Sequence, residues 1–247
     1  MENLQNSEKI VELASKDYKL SYSDFIGIGK NGNLWVEDCD VEELVKEYGS
    51  PLLIISESQF RQSFRQFKKA FTDNYNGEVE ILYANKSNNS LALRHIMNQE
   101  GGGGDCFGVN EMYISLLAGT NPKMLVLNGS NKQDEELEMA IANGLCINID
   151  SMDELTRISD ISTRLNKSVE IGIRLALDLD SLADKTGVFM HGPGTLKEQS
   201  DSTKWGMSRE QTVEIVKRAQ QIANINLKET HFHLSRMTNE VEPFAVM

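Results

Sequence analysis

Val79-Glu80-Ile81-Leu82-Tyr83-Ala84-Asn85-Lys86-Ser87-Asn88 joins an apolar run to a polar turn, with a lysine at the join. Val79 to Ala84 reads as a buried strand, and Lys86 stands where that strand should end. In a parallel α/β barrel, residues at the carboxyl ends of strands face the active site. A lysine held there and shielded from water gives up its proton more readily and becomes a nucleophile toward carbonyls. In a loop open to water the same lysine is an ordinary solvated cation.

Outward from this stretch, helix signals alternate with short apolar strands. Upstream, Asp40-x-x-Glu43 opens a short helix that Gly49 closes, and Pro51 starts a strand over Leu52 to Ile55. Ser56-x-x-Gln59 is a capping box, followed by Phe60, Phe64, Phe67 and Phe71 at helical spacing, an aromatic stripe that reads as core. Downstream, strands are predicted over 103–107, 124–127, 146–149, 169–175 and 227–234. Helices fit 90–99, 110–118, 133–143, a segment from the Ser151-x-x-Glu154 box to about 165, and one from the Ser208-x-x-Gln211 box to about 223. A long polar loop covers 178–207. Six strand-then-helix units argue for a parallel sheet with helices outside it, and a doubly wound sheet would alternate in the same way. Gly101 to Gly104 precedes a strand instead of following one, so it reads as a turn and not as a phosphate-cradling loop.

Composition narrows the function. The 247 residues are 40% apolar and 25% charged, ordinary for a soluble globular chain. No apolar run approaches the roughly 18 residues that a membrane span needs, and the amino terminus carries neither a basic nor an apolar region of a secretory signal. Cys39, Cys106 and Cys146 are far apart and show neither a metal-ligand spacing nor a disulfide framework, which fits a reducing, cytoplasmic setting. A net charge of −12 argues against nucleic acid as a partner, since phosphate binding depends on neutralisation by Lys and Arg.

If the strands belong to a barrel, their carboxyl ends present Lys86, Asp105, Arg174 and His231-Phe232-His233-Leu234-Ser235. Asp105 is either part of this set or a turn carboxylate, and Glu111 either lies close to it or simply favours the first turn of a helix. Arg174 inside an apolar strand calls for an anionic partner. His231 and His233, two apart, share a face, but no third ligand is evident and no metal is expected.

Tyr83-Ala84-Asn85-Lys86-Ser87-Asn88 resembles the Tyr-Ala-x-Lys-Ala-Asn signature of the alanine-racemase-fold decarboxylases that use pyridoxal phosphate, the family of diaminopimelate and ornithine decarboxylases. Further segments are similar to that family in the same order. They are Tyr48-Gly49-Ser50-Pro51, Gly104-Asp105-Cys106-Phe107-Gly108-Val109-Asn110-Glu111, Asn128-Gly129-Ser130-Asn131-Lys132 with Glu135-Glu136-Leu137, Asn148-Ile149-Asp150-Ser151 with Glu154-Leu155, Lys204-Trp205-Gly206 and His231-Phe232-His233. Where the family has His-Ile-Gly-Ser, this chain reads His233-Leu234-Ser235-Arg236.

The resemblance implies a TIM-like (β/α) barrel of alanine-racemase type. After a lead-in over 1–50, residues 51–247 would form about six of its eight strands. The family's glycine-rich phosphate loop and β-rich carboxy-terminal domain would lie beyond this sequence. Lys86 would carry pyridoxal 5'-phosphate as an internal aldimine and later return a proton to the substrate carbon. His233 would stack on the ring, Asp105 and Arg174 would belong to the network around the cofactor, and Ser235 would touch the phosphate. The implied activity is decarboxylation of a basic or diamino amino acid, with meso-diaminopimelate to lysine the first choice. The implied partners are a small amino-acid substrate and, in the full-length form, a second subunit of a homodimer, with no nucleic acid and no membrane. Open alternatives are a racemase of the same fold, a cofactor-free Schiff-base aldolase, and a non-catalytic homologue acting as regulator or as half of a split enzyme.

Overall fold

The computed structural model describes residues 25–176 and 205–233. These fall into two compact units that divide between Val79 and Glu80. The first unit holds a three-stranded antiparallel meander, β1 (Ile26–Ile28), β2 (Leu34–Val36) and β3 (Cys39–Asp40), and two helices, α1 (Val41–Tyr48) and α2 (Glu57–Thr72). Asp40 caps α1 as the sequence suggests, its carboxylate accepting from the Glu42 amide at 2.9 Å, and Gly49 closes the helix. Ser56 caps α2 by accepting from the Gln59 amide at 3.0 Å.

Two expectations in this unit are corrected. Residues 52–55 pair with no strand among the described residues, and Leu53 is 84% exposed. An apolar run without a ladder partner stays irregular, because unpaired backbone is satisfied by water. The aromatic stripe of α2 is core only at Phe64. Phe67 and Phe71 are exposed and pack on each other, ring centroids 5.1 Å apart.

The second unit is built on a six-stranded sheet in the order β4 (Leu82–Ala84), β5 (Gly103–Cys106), β6 (Leu125–Leu127), β7 (Cys146–Ile149), β8 (Val169–Arg174) and β9 (Ile225–His231). Every neighbouring pair is parallel. Spatial order follows chain order without a switch point, which excludes the doubly wound alternative. The winding is that of an α/β barrel, left unclosed among the described residues. Helices α3 (Leu91–Gln99), α4 (Val109–Leu117), α5 (Asp134–Asn143), α6 (Met152–Leu165) and α7 (Arg209–Ala219) form the crossovers.

The boundaries follow local chemistry. Strand β4 is shorter and less buried than 79–84 suggests, because it has a ladder partner on one side only, β5. Of the four glycines, Gly101 makes the turn with φ 75°, while Gly103 and Gly104 belong to β5. A Cβ on Gly103 would sit 2.2 Å from Met124 O and 2.3 Å from a Leu82 methyl, so the strand packs there only without a side chain. Gln133 and Glu136 close a reciprocal capping box at the start of α5, and Gly144 ends it in the left-handed region. Ser208 and Gln211 do the same for α7.

The core lies between the sheet and these helices. Leu125, Leu127, Ile147, Ile149, Ile171 and Ile173 are buried on the strands, and Leu137, Ile141, Leu155, Ile158 and Ile215 come down from the helices. Burial on both faces explains the unbroken apolar run of β6. Each such side chain contributes roughly 1.5–3 kcal/mol.

Candidate functional site at the carboxyl ends of the strands

Lys86 sits in a short 3-10 turn, Asn85–Ser87, that caps β4. Asn85 anchors this turn from below. It is fully buried, and its amide donates to Ser115 Oγ at 2.9 Å and to Cys106 Sγ at 3.2 Å. Ser87 Oγ lies 2.7 Å from Ala84 O and 2.8 Å from Tyr83 Oη. The turn lifts Lys86 above the sheet, so its side chain is exposed and not shielded. Its amine lies 4.4 Å from the centre of the Phe107 ring, within cation–π range. Gly129, with φ 103°, leaves room for that ring, which lies 3.3 Å from where a Cβ would stand.

Asp105, on the neighbouring strand, accepts a short hydrogen bond from the Asn128 amide. Asn128 in turn accepts from the Asn148 amide at 2.9 Å. Burial raises the Asp105 pKa, while Asn128 and the charges of Lys86 and Arg174 oppose the rise and Glu111 adds to it. Glu111 has a helix-capping role as well, its carboxylate accepting from the Phe107 amide at 2.7 Å.

Arg174 ends β8, is nearly buried, and finds the anion it needs in Asp150, Nε to Oδ1 3.7 Å. Asp150 also accepts from the Gly206 amide at 2.7 Å. The Trp205 ring centre lies 5.9 Å from the guanidinium carbon. Residues 206–207 lie on the end of β8, with Met207 N to Arg174 O and Ala176 N to Met207 O both 2.9 Å. Gly206 has φ 80°, and a Cβ there would meet the Leu175–Ala176 backbone at 2.7 Å. This explains the glycine of the Lys204-Trp205-Gly206 segment, of which Lys204 lies outside the described residues.

Glu154 corrects a sequence expectation. Ser151 accepts from the Glu154 amide, but the Glu154 carboxylate does not turn back to Ser151. It accepts from the Asp150 amide at 2.9 Å and pairs with Lys132 Nζ at 2.9 Å. Both side chains are nearly inaccessible. Lys132 also donates to Gly129 O at 2.6 Å, and burial lowers its pKa against the pull of Glu154. Buried ion pairing wins over helix capping because Lys132 would otherwise be an uncompensated charge.

His231 is the last residue of β9, level with Arg174. Burial, reinforced by the positive charges of Arg174, His233, Lys132 and Lys86, pushes its pKa down to about 4. Its Nδ1 is buried without a hydrogen-bond partner. The strand stops here, short of the 234 expected, so His233 lies beyond it and is exposed. Ser235 lies outside the described residues. Asp105 pairs in register with Ala84 beside the Lys86 turn, Arg174 pairs with His231, and Lys86 and Arg174 act electrostatically on both Asp105 and His231. Lys86, Asp105, Arg174 and, just past His231, His233 therefore stand at one end of the sheet, four of the five expected site residues. Sequence reasoning missed Asn128, Asn148, Lys132 and Glu154 as individual actors. A polar residue inside the apolar run of β7 was the available signal for Asn148. Among the described residues no helix is long and apolar enough to cross a membrane.

This arrangement offers a primary amine for an aldehyde, an adjacent carboxylate and arginine, and an imidazole. Such a donor set fits pyridoxal phosphate, and the comparisons agree. The chain belongs to the pyridoxal-dependent decarboxylases: the description of their pyridoxal binding domain matches residues 57–246. It is 32% identical over 217 residues to the diaminopimelate decarboxylase of Archaeoglobus fulgidus, covering 87% of this chain and 48% of that protein. Over 137 residues it is 36% identical to the enzyme of the same name from Methanothermobacter thermautotrophicus, covering 56% of this chain and 32% of that one. Among solved structures, M. jannaschii diaminopimelate decarboxylase in complex with L-lysine superposes with a TM-score of 0.79 at 25% identity, covering 90% of this chain and 50% of that one. The chain thus spans about half the length of the curated relatives it matches most extensively.

Proposed function

We propose that this chain is the cofactor-binding portion of a pyridoxal-phosphate-dependent decarboxylase acting on a diamino acid, with meso-diaminopimelate to lysine the preferred reaction. The observation that carries this reading is the convergence of Lys86, Asp105, Arg174 and His231-Phe232-His233 at the carboxyl ends of one singly wound sheet. Relatives named diaminopimelate decarboxylase support the substrate choice. Residues 51–247 would form the partial barrel behind a lead-in over 1–50, and the full-length protein would act as a cytoplasmic homodimer.

In this reading Lys86 would hold the cofactor through its aldehyde, and its amine would hold the proton that replaces the departing carboxyl group. Its exposed position on the Asn85-anchored turn leaves it open to both cofactor and substrate. Asp105 and Arg174 would set the charge balance around the cofactor, and the family resemblance gives His233 to its ring and Ser235 to its phosphate. The cofactor, when bound, supplies the electron sink for the bond broken at the α-carbon.

The test is to mix the chain with pyridoxal phosphate, reduce with borohydride and map adducts by peptide mass spectrometry. Labelling confined to Lys86 and lost in Lys86→Ala is the expected result. Labelling scattered over surface lysines sinks the cofactor assignment. An amino-acid panel then follows, scored for carbon dioxide release. A chain that takes the label yet turns over nothing, alone or with a full-length homologue, would favour the non-catalytic reading.

A further inference from the structure

We propose that Asn148 and Asn128 form a one-way amide relay that positions Asp105, Asn148 fixing which end of the Asn128 amide faces the Asp105 carboxylate. This deepens the cofactor-site reading and rests on it for its purpose, although the relay itself is a property of the protein alone.

The geometry gives the relay its direction. An asparagine amide has a donor end and an acceptor end. Asn148 donates to Asn128 Oδ1 at 2.9 Å, which turns the Asn128 NH2 toward Asp105, where it donates to Oδ1. An ionised carboxylate only accepts, so the chain of bonds runs one way while Asp105 is charged. Turning either amide over alone would set oxygen against oxygen. Protonation of Asp105 is what would let both turn together.

The far end of the relay is left unmatched. Asn148 is 2% exposed, yet its Oδ1 has no hydrogen-bond partner. That oxygen lies against Gly172, its neighbour in the β7–β8 register. A Cβ on Gly172 would stand 1.8 Å from it. The fold therefore keeps a bare glycine on β8 and an unsatisfied buried acceptor on β7, and the contact served by both is the one that ends at Asp105. A relay of two amides, from β7 and from the residue after β6, pins Oδ1 to the sheet and leaves Oδ2 as the oxygen it does not engage. The charged form of Asp105 is thereby held in one orientation, within electrostatic reach of Lys86. The charged groups that act on Asp105 are Lys86, Arg174 and Glu111, and they reach it from the turn after β4, from β8 and from α4, while the relay comes from β7 and the residue that follows β6.

The experiment is a carboxyl-carbon NMR titration of Asp105 in the 247-residue chain, without cofactor. It compares wild type, Asn128→Ala, Asn148→Ala and, should the last fail to fold, Asn148→Ser. Loss of a hydrogen bond to the charged form moves the Asp105 midpoint to higher pH in Asn128→Ala. The relay predicts the same direction in the Asn148 variants, although residue 148 does not touch Asp105. An Asp105 titration unchanged by the Asn148 substitutions, at whatever cost to melting temperature, would falsify the relay and leave only a single Asn128 contact. Pyridoxal phosphate binding, followed by absorbance, is expected to weaken about threefold to tenfold in the same variants. Shifted midpoints in a chain that binds no cofactor would keep the relay and overturn the functional reading. Cofactor binding with unshifted midpoints would do the reverse.

Discussion

Asp105 and His231 carry opposite ionic habits within one cluster, and both strain the fold for the sake of the site. Burial raises the Asp105 pKa above its ordinary 3.8. A carboxyl group of this kind stabilises the fold fully below the unfolded value, and that contribution is lost as pH rises through the folded one. At neutral pH its charge is a standing cost. Asp105→Asn, which keeps an oxygen to accept from Asn128, is expected to melt above wild type at pH 7. The advantage should shrink as pH falls toward 3.8, and scanning calorimetry at several pH values reads it directly. His231 works in the other direction. Above 6.5 both folded and unfolded chains hold it neutral, but between 6.5 and about 4 the unfolded chain takes up a proton that the folded one refuses. Wild type should therefore lose stability as pH falls through that window, and His231→Gln should lose less.

Between elements, the links that hold the strand ends in place are few and buried. Lys132 and Glu154 tie the loop after β6 to the start of α6 and, through the Asp150 amide, to the residue that meets Arg174. Removing one partner leaves a buried charge alone, at about 3–5 kcal/mol. Lys132→Met and Glu154→Leu are each expected to cost that much in urea unfolding, and the double variant well below the sum. The β7–β8 contact gives a second coupled pair. Gly172→Ala forces a methyl group onto Asn148 and should cost about 1–3 kcal/mol. Adding Asn148→Ala should recover part of that loss, and equal additive losses would refute the clash. The element scale also shows where the sequence could be read. Helix caps at Asp40, Ser56 and Ser208 and the strand of 146–149 were legible because their signals are local. The Glu154 side chain was not, since a capping box and a buried ion pair share the same letters. The Phe67–Phe71 stripe had the period of a core face, but period alone cannot say what covers a face. Lys86, Asp105 and Arg174 could be placed at strand ends from pattern, while the direction of the Asn148–Asn128 contact depends on a glycine on another strand.

At the level of the whole molecule, the second unit ends in two strands, β4 and β9, each with a ladder on one side among the described residues. Leu227 on β9 is exposed, and open edges with apolar side chains invite pairing. Concentration-dependent association is expected in sedimentation experiments, reduced by Leu227→Lys. A single species at every concentration in both proteins would count against exposed edges in solution.

Because each strand lies beside the one made just before it, the sheet has a temporal order as well as a spatial one. Every ladder from β4 to β9 joins strands that are consecutive among the described residues, so no strand must wait for one made much later before it can pair. Loop-closure entropy is then met in small instalments, the condition under which chains assemble fast. A nascent chain emerging residue by residue could add each strand to the edge left by the last. The same property makes the sheet divisible: a cut after any crossover leaves the ladders made before it whole.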